Sequence, residues 1–103
     1  GAADTTSGDQ DLTAVYRTVA RIRFTNGATG PTVQAQTKVQ VAEDTTAANY
    51  MTLATVYGGT TANAVTEHVV EIPDAFEHAR FVSGSNTAQA LTLRVVIEKI
   101  TGI

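Results

Sequence analysis

The sequence has no cysteine and no tryptophan, one methionine, two prolines and four leucines. Without thiols there are no disulfide staples, thiolate metal clusters or cysteine nucleophiles, and the redox compartment leaves no mark on the chain. Stability has to come from packing. Cations are scarce too: Lys and Arg number 7 against 10 Asp and Glu, a formal charge of −3, which argues against a protein that works by neutralising nucleic-acid phosphates. No apolar run approaches the ~20 residues needed to span a bilayer as a helix. The opening residues Gly1, Ala2, Ala3, Asp4, Thr5 and Thr6 lack the basic-then-apolar pattern of a signal peptide. A soluble chain with no membrane partner is expected. The 103 residues leave room for one small domain, which buries about 65% of its unfolded surface around a thin core. Oligomerisation is expected to support such a core.

What the chain has in quantity is β-branched residues: 18 Thr, 12 Val and 5 Ile, a third of all positions. These suit a pleated, half-buried surface and disfavour long helices. Residues 1–11 are polar, carry Asp4, Asp9 and Asp11 and show no apolar period. They read as an extended N-terminal arm, followed by a single domain over 12–103.

Six strands follow from alternation and turn chemistry. In residues 12–25, Tyr16, Thr18, Ala20, Ile22 and Phe24 alternate with Arg17, Val19, Arg21 and Arg23, and the first set is expected to face the core. Asn26, Gly27, Gly30 and Pro31 supply a turn. Residues 32–41 place Val33, Ala35, Thr37, Val39 and Val41 on one side and Gln34, Gln36, Lys38 and Gln40 on the other. Residues 50–57 read as a third strand ending at Gly58 and Gly59. A helix competes here, with Ala47, Tyr50, Met51, Ala54 and Tyr57 on one face, but the interleaved Thr and Val favour a hairpin. A fourth strand over 64–72 stops at Pro73, which has no N–H for a ladder bond. A fifth covers 78–83, residues 84–87 form a turn, and a long sixth runs over 90–100 with Leu91, Leu93, Val95 and Ile97 on one face. The expected fold is all-β: an antiparallel two-sheet sandwich or jelly roll of six to eight strands.

Catalytic chemistry is sparse. His68 and His78 are the only histidines. Period-two geometry sends Glu67 and Glu71 to one face of their strand and His68 to the other, so the three do not converge locally. A metal shared by His68 and His78 would need the two to be cross-strand neighbours, and two scattered histidines carry no fixed-spacing motif. A loop calcium at Glu43, Asp44 or Asp74 lacks an Asp-x-Asp-x-Asp-Gly signature. Ser83-Gly84-Ser85 lacks the second glycine of a nucleophile elbow, and the Gly-rich stretches at 27–30 and 58–59 lack the lysine of a P-loop. No enzymatic activity, cofactor or metal is expected. Arg17, Arg21 and Arg23 share one face of the first strand. They form either a basic stripe that docks on an acidic protein surface or the charged guard of a solvated edge strand. Tyr16, Phe24, Tyr50, Tyr57, Phe76 and Phe81 are expected in core packing before a sugar-stacking platform.

Two stretches carry a resemblance. Val33 to Asp44 (VQAQTKVQVAED) followed by Tyr50-Met51-Thr52-Leu53 resembles the "V-x-V-Q-V-S-x-D-G … W-x-x-L" hairpin of small β-sandwich virion proteins of tailed bacteriophages, with Tyr50 in place of the Trp. The stretches Val70-Glu71-Ile72-Pro73, Ala79-Arg80-Phe81-Val82-Ser83-Gly84 and Leu91-Thr92-Leu93 resemble the second half of the same pattern. The resemblance spans residues 32–98. It implies a virion location and a structural role: a capsid decoration or cement protein, or a related head, neck or tail accessory subunit. It also implies contact with other virion subunits, the major capsid protein first among them, and a homo-oligomer, with a trimer among the options. Related sandwiches occur in sugar-binding modules, so a carbohydrate-binding module is the competing reading. The residues expected to carry protein contacts are Asp4, Asp9 and Asp11 of the arm and Arg17, Arg21 and Arg23 of the first strand.

Overall fold

The computed structural model describes residues 5–13, 15, 17–30, 33–73, 75–84 and 91–100. The expectations that fall on Asp4, Tyr16, Pro31, Thr32, Asp74, the 85–87 turn and Ala90 lie outside them. Eight strands follow in order: β1 (Thr5–Thr6), β2 (Gln10–Asp11), β3 (Arg17–Asn26), β4 (Gln36–Ala42), β5 (Met51–Tyr57), β6 (Val65–Ile72), β7 (His78–Gly84) and β8 (Leu91–Ile100). A 3₁₀ turn, Ala47–Asn49, precedes β5.

All pairings are antiparallel. One sheet runs β7–β4–β5, with the two short arm strands β1 and β2 both added to the far side of β7; the other runs β6–β3–β8. The chain is an all-β sandwich, with the two inner faces packed on one another. Its extents are 42 × 31 × 16 Å and its radius of gyration is 14.3 Å, above the ~13 Å of an equally long compact domain. The molecule is a slab two sheets thick.

Strand β3 shows why the sequence takes this form. Thr18, Ala20, Ile22, Phe24 and Asn26 are buried while Arg17, Arg21 and Arg23 face solvent, the alternation that a sheet with one wet face requires. Ile22 pairs with His68 on β6 and Val95 on β8. Across the gap, Thr37, Val39 and Val41 of β4 and Ala79 and Phe81 of β7 complete a core that also takes in Leu12 and Ile72. Only two phenylalanines, Phe24 and Phe81, are buried, and the core is correspondingly thin.

Three sequence expectations need correction. The strand expected over 12–25 begins at Arg17 and ends at Asn26. The strand expected from residue 32 begins at Gln36, and Val33 is exposed. Pairing ends there because Gln36 meets Tyr57 and Gly84, the last residues of both neighbouring strands. The reading of the arginine strand as a solvated edge is also overturned: β3 is the central strand of its sheet, flanked on both sides. The helix that competed over 50–57 does not form. Its residues pair with β4, with a register shift between Val39 and Gln40 that leaves Leu53 as an extra residue on β5.

The β5–β6 connection is organised by one buried side chain. Asn26 Nδ2 donates to the Thr61 carbonyl at 2.9 Å and lies 3.4 to 3.5 Å from those of Gly59 and Gly58, while its Oδ1 has no partner. Gly58 lies under the Phe24 ring, where a Cβ would come 2.8 Å from Cγ. Asn63 takes a left-handed φ of 58°, which asparagine tolerates, and its N–H reaches the Gly27 carbonyl at 2.9 Å.

Candidate functional site

The arm is built from backbone bonds first. Thr5 and Thr6 pair with Ser83 and Val82, and Gln10 and Asp11 with Ala79 and His78. Between the two short ladders, Ser7 N–H donates to the Phe81 carbonyl at 2.8 Å, and the Phe81 N–H donates to Ser7 Oγ at 2.9 Å. The chain thus performs on its own β7 the edge addition that an extended segment needs little sequence to make. Leu12, buried at the end of the arm, sends its N–H to the Glu77 carbonyl.

Side chains then fix this arrangement around Asp9. His78 Nδ1–H donates to Asp9 Oδ2 at 2.8 Å, and the Tyr50 hydroxyl donates to Oδ1 at 2.5 Å. The Arg80 guanidinium stacks 4.1 Å from the centroid of the Tyr50 ring and donates from Nε to Gln40 Oε1 at 2.8 Å. The hydrogen bond to Asp9 raises the His78 pKa above its ordinary value, with Asp9, Asp11 and Glu77 charges adding to it. Its own hydrogen bond to Asp9 pushes the Tyr50 phenol up to about 12. Asp11 points elsewhere. Its carboxylate accepts from the Thr13 side and backbone, which lowers its pKa, and its carbonyl accepts from Lys99 Nζ at 3.0 Å. Through Lys99, on β8, the arm touches both sheets.

The arginine stripe occupies the outer face of the β6–β3–β8 sheet. Each of its three guanidinia meets a glutamate from a neighbouring strand: Arg17 with Glu71 at 2.9 Å, Arg21 with Glu98 at 3.3 Å and Arg23 with Glu67 at 3.0 Å. The bond to Glu71 raises the Arg17 pKa further. The stripe is neutralised in place, and Val19, Val65, Val69 and Val96 alternate with the pairs in register. Arg94, directly across from Arg23, has no ion-pair partner among the described residues. It lines a shallow cleft of about 170 Å³ with Arg21, Arg23, Glu67 and Val96.

The remaining candidates separate. His68 faces inward, edge-on to Phe24, and donates from Nε2 to the Tyr57 carbonyl at 2.8 Å. His78 lies in the other sheet, so the two histidines are not cross-strand neighbours. Among the described residues no group of three or more His, Asp or Glu side chains converges as a metal site. Asp44 is held by the Thr46 N–H and by Asn49, which lowers its pKa. Phe24 and Phe81 are core, the Tyr50 ring is covered by Arg80, and Tyr57 is the exposed ring of the described set.

Sequence reasoning named Asp9 but missed its partners, His78 and Tyr50, which lie more than forty residues away. The period-two placement of Glu67 and Glu71 on one face was the only available signal for the arginine pairs. Comparison of the chain with protein-family models, with curated proteins and with solved structures finds no match.

Proposed function

We propose that this chain is a non-enzymatic structural subunit of a bacteriophage particle, a capsid decoration or cement protein or a related head accessory, acting through protein–protein contacts. The observation that carries the reading is the outer face of the β6–β3–β8 sheet, where three ion pairs alternate with outward-facing valines. Covering charges that are already paired costs less than covering unpaired ones, so such a face opposes burial by a second protein surface less than an unpaired stripe would. The sequence resemblance over residues 32–98 supplies the particle. Arg94 offers such a partner one point for a carboxylate.

The test is co-sedimentation of the purified chain with empty tailed-phage capsids, with the native mass of the chain alone as baseline. Retention on capsids that weakens when Val19 and Val96 are replaced by Asp supports the reading. A chain that stays in the supernatant and binds glycans on an array overturns it in favour of the carbohydrate-binding alternative.

A further inference from the structure

The sandwich has four sheet edges, and three of them are guarded. The β7 edge is covered by the arm strands, two residues each. The β5 edge is broken by the irregularity at Leu53, a device that twists an edge away from flat pairing. The β8 edge carries Arg94 and Lys99, neither with a carboxylate partner among the described residues, and cations on an edge repel a second strand. Strand β6 differs on each count. Its eight residues pair with β3 in one unbroken register, it holds no Lys, Arg or Pro, and among the described residues no strand pairs with its other side. Its glutamates are drawn back onto Arg17 and Arg23 of β3. Val65 and Val69, at 60% and 65%, are the most exposed large apolar residues described.

We propose that β6 is a homotypic joint, in which two copies of this chain pair their β6 strands antiparallel about a two-fold axis through His68 and so merge two three-stranded sheets into one of six. Axes through His68 and Val69 give the longest overlap, seven of the eight residues, and the charge pattern chooses between them. An axis normal to the sheet keeps inner and outer faces in step only if it passes through a residue. Through His68, each outward Glu67 stands opposite the second copy's Val69, and each Val65 opposite its Glu71. Through Glu67, that carboxylate would face itself; through Val69, Glu67 would face Glu71, and like charges directly opposite oppose pairing. Strand β5 lies against the same side of the molecule, linked to β6 by the His68–Tyr57 bond. Among the described residues, five of the seven exposed large hydrophobics, Met51, Leu53, Tyr57, Val65 and Val69, belong to these two strands. A second copy seated on β6 brings the two β5 walls towards each other and covers apolar surface on both layers. An isologous contact of this kind closes at two subunits.

The joint is a property of the isolated chain and does not rest on the particle reading. Sedimentation velocity of the full chain over a concentration series is expected to show a monomer–dimer equilibrium. Val69→Glu, which sets a carboxylate directly opposite the second copy's Glu67 on both sides of the axis, is expected to weaken it roughly tenfold or more while the far-UV spectrum stays β-like. Because the chain has no cysteine, the double variant Glu67→Cys/Val69→Cys is expected to form an interchain disulfide under mild oxidation, and Glu67→Cys/Glu71→Cys is not. A wild type that stays monomeric, a dimer indifferent to Val69→Glu, or efficient cross-linking through Glu67→Cys/Glu71→Cys overturns the proposal. So does a monomer whose β6 amides gain protection from exchange only on capsids, which would assign the edge to another protein and leave the particle reading standing.

Discussion

Asp9 holds the arm through His78, whose charge depends on pH. Since the folded-state pKa of His78 lies above the ordinary 6.5, the stabilisation from its hydrogen bond is fully present below about pH 6.5 and is lost as pH rises through the folded value. The melting temperature is expected to fall over that alkaline step, with Asp9→Asn flattening the dependence in a thermal series by circular dichroism. Tyr50 adds a later loss of the same sign, between its ordinary 10 and about 12. A second residue-scale prediction concerns Asn26. Replacing it by Ala leaves buried carbonyls around Gly58, Gly59 and Thr61 short of a donor, a loss of about 1–3 kcal/mol. Its measure is the shift in urea midpoint. The exposed Arg17–Glu71 pair, by contrast, is screened by solvent, and Arg17→Ala is expected to leave the midpoint nearly unchanged.

At the scale of elements, close approach of β3 to the β5–β6 connection makes Gly58 irreplaceable. A methyl group there meets the Phe24 ring at 2.8 to 3.0 Å, so Gly58→Ala is expected to cost about 1–3 kcal/mol through overpacking, read from the same denaturation curves. Removing residues 1–11 strips β7 of its cover. Such a variant is expected to keep a β-type far-UV spectrum and to self-associate in light scattering, because an unpaired edge is a template for further strands. The six main strands were legible in the sequence because alternation and turn residues are local properties; Thr37, Val39 and Val41 fall inside as their period requires. The partners of those strands were not legible. Placing β3 in the centre depends on Glu67, Glu71 and Glu98 lying on two different flanking strands, and no local pattern says which strands flank which. Arm residues 5–11 show no period at all, so their docking on β7 follows from backbone bonds and from Asp9, which spacing does not reveal.

For the whole molecule, thinness sets the tolerance to change. A domain of this length has a net stability of about 5–15 kcal/mol, and Phe24 is the largest of its fully buried side chains. Phe24→Ala is expected to remove about 3–5 kcal/mol and to bring thermal unfolding near ambient temperature, as scanning calorimetry would record. The order of the β6–β3–β8 sheet bears on biogenesis as well. Its middle strand is synthesised first, and both strands that flank it emerge afterwards. During translation the Arg17–Asn26 segment therefore waits, with Ile22 and Phe24 uncovered, until residues 91–100 leave the ribosome. The sheet completes only after β8 has emerged, and in that interval a holding chaperone or a slow growth temperature decides the soluble yield.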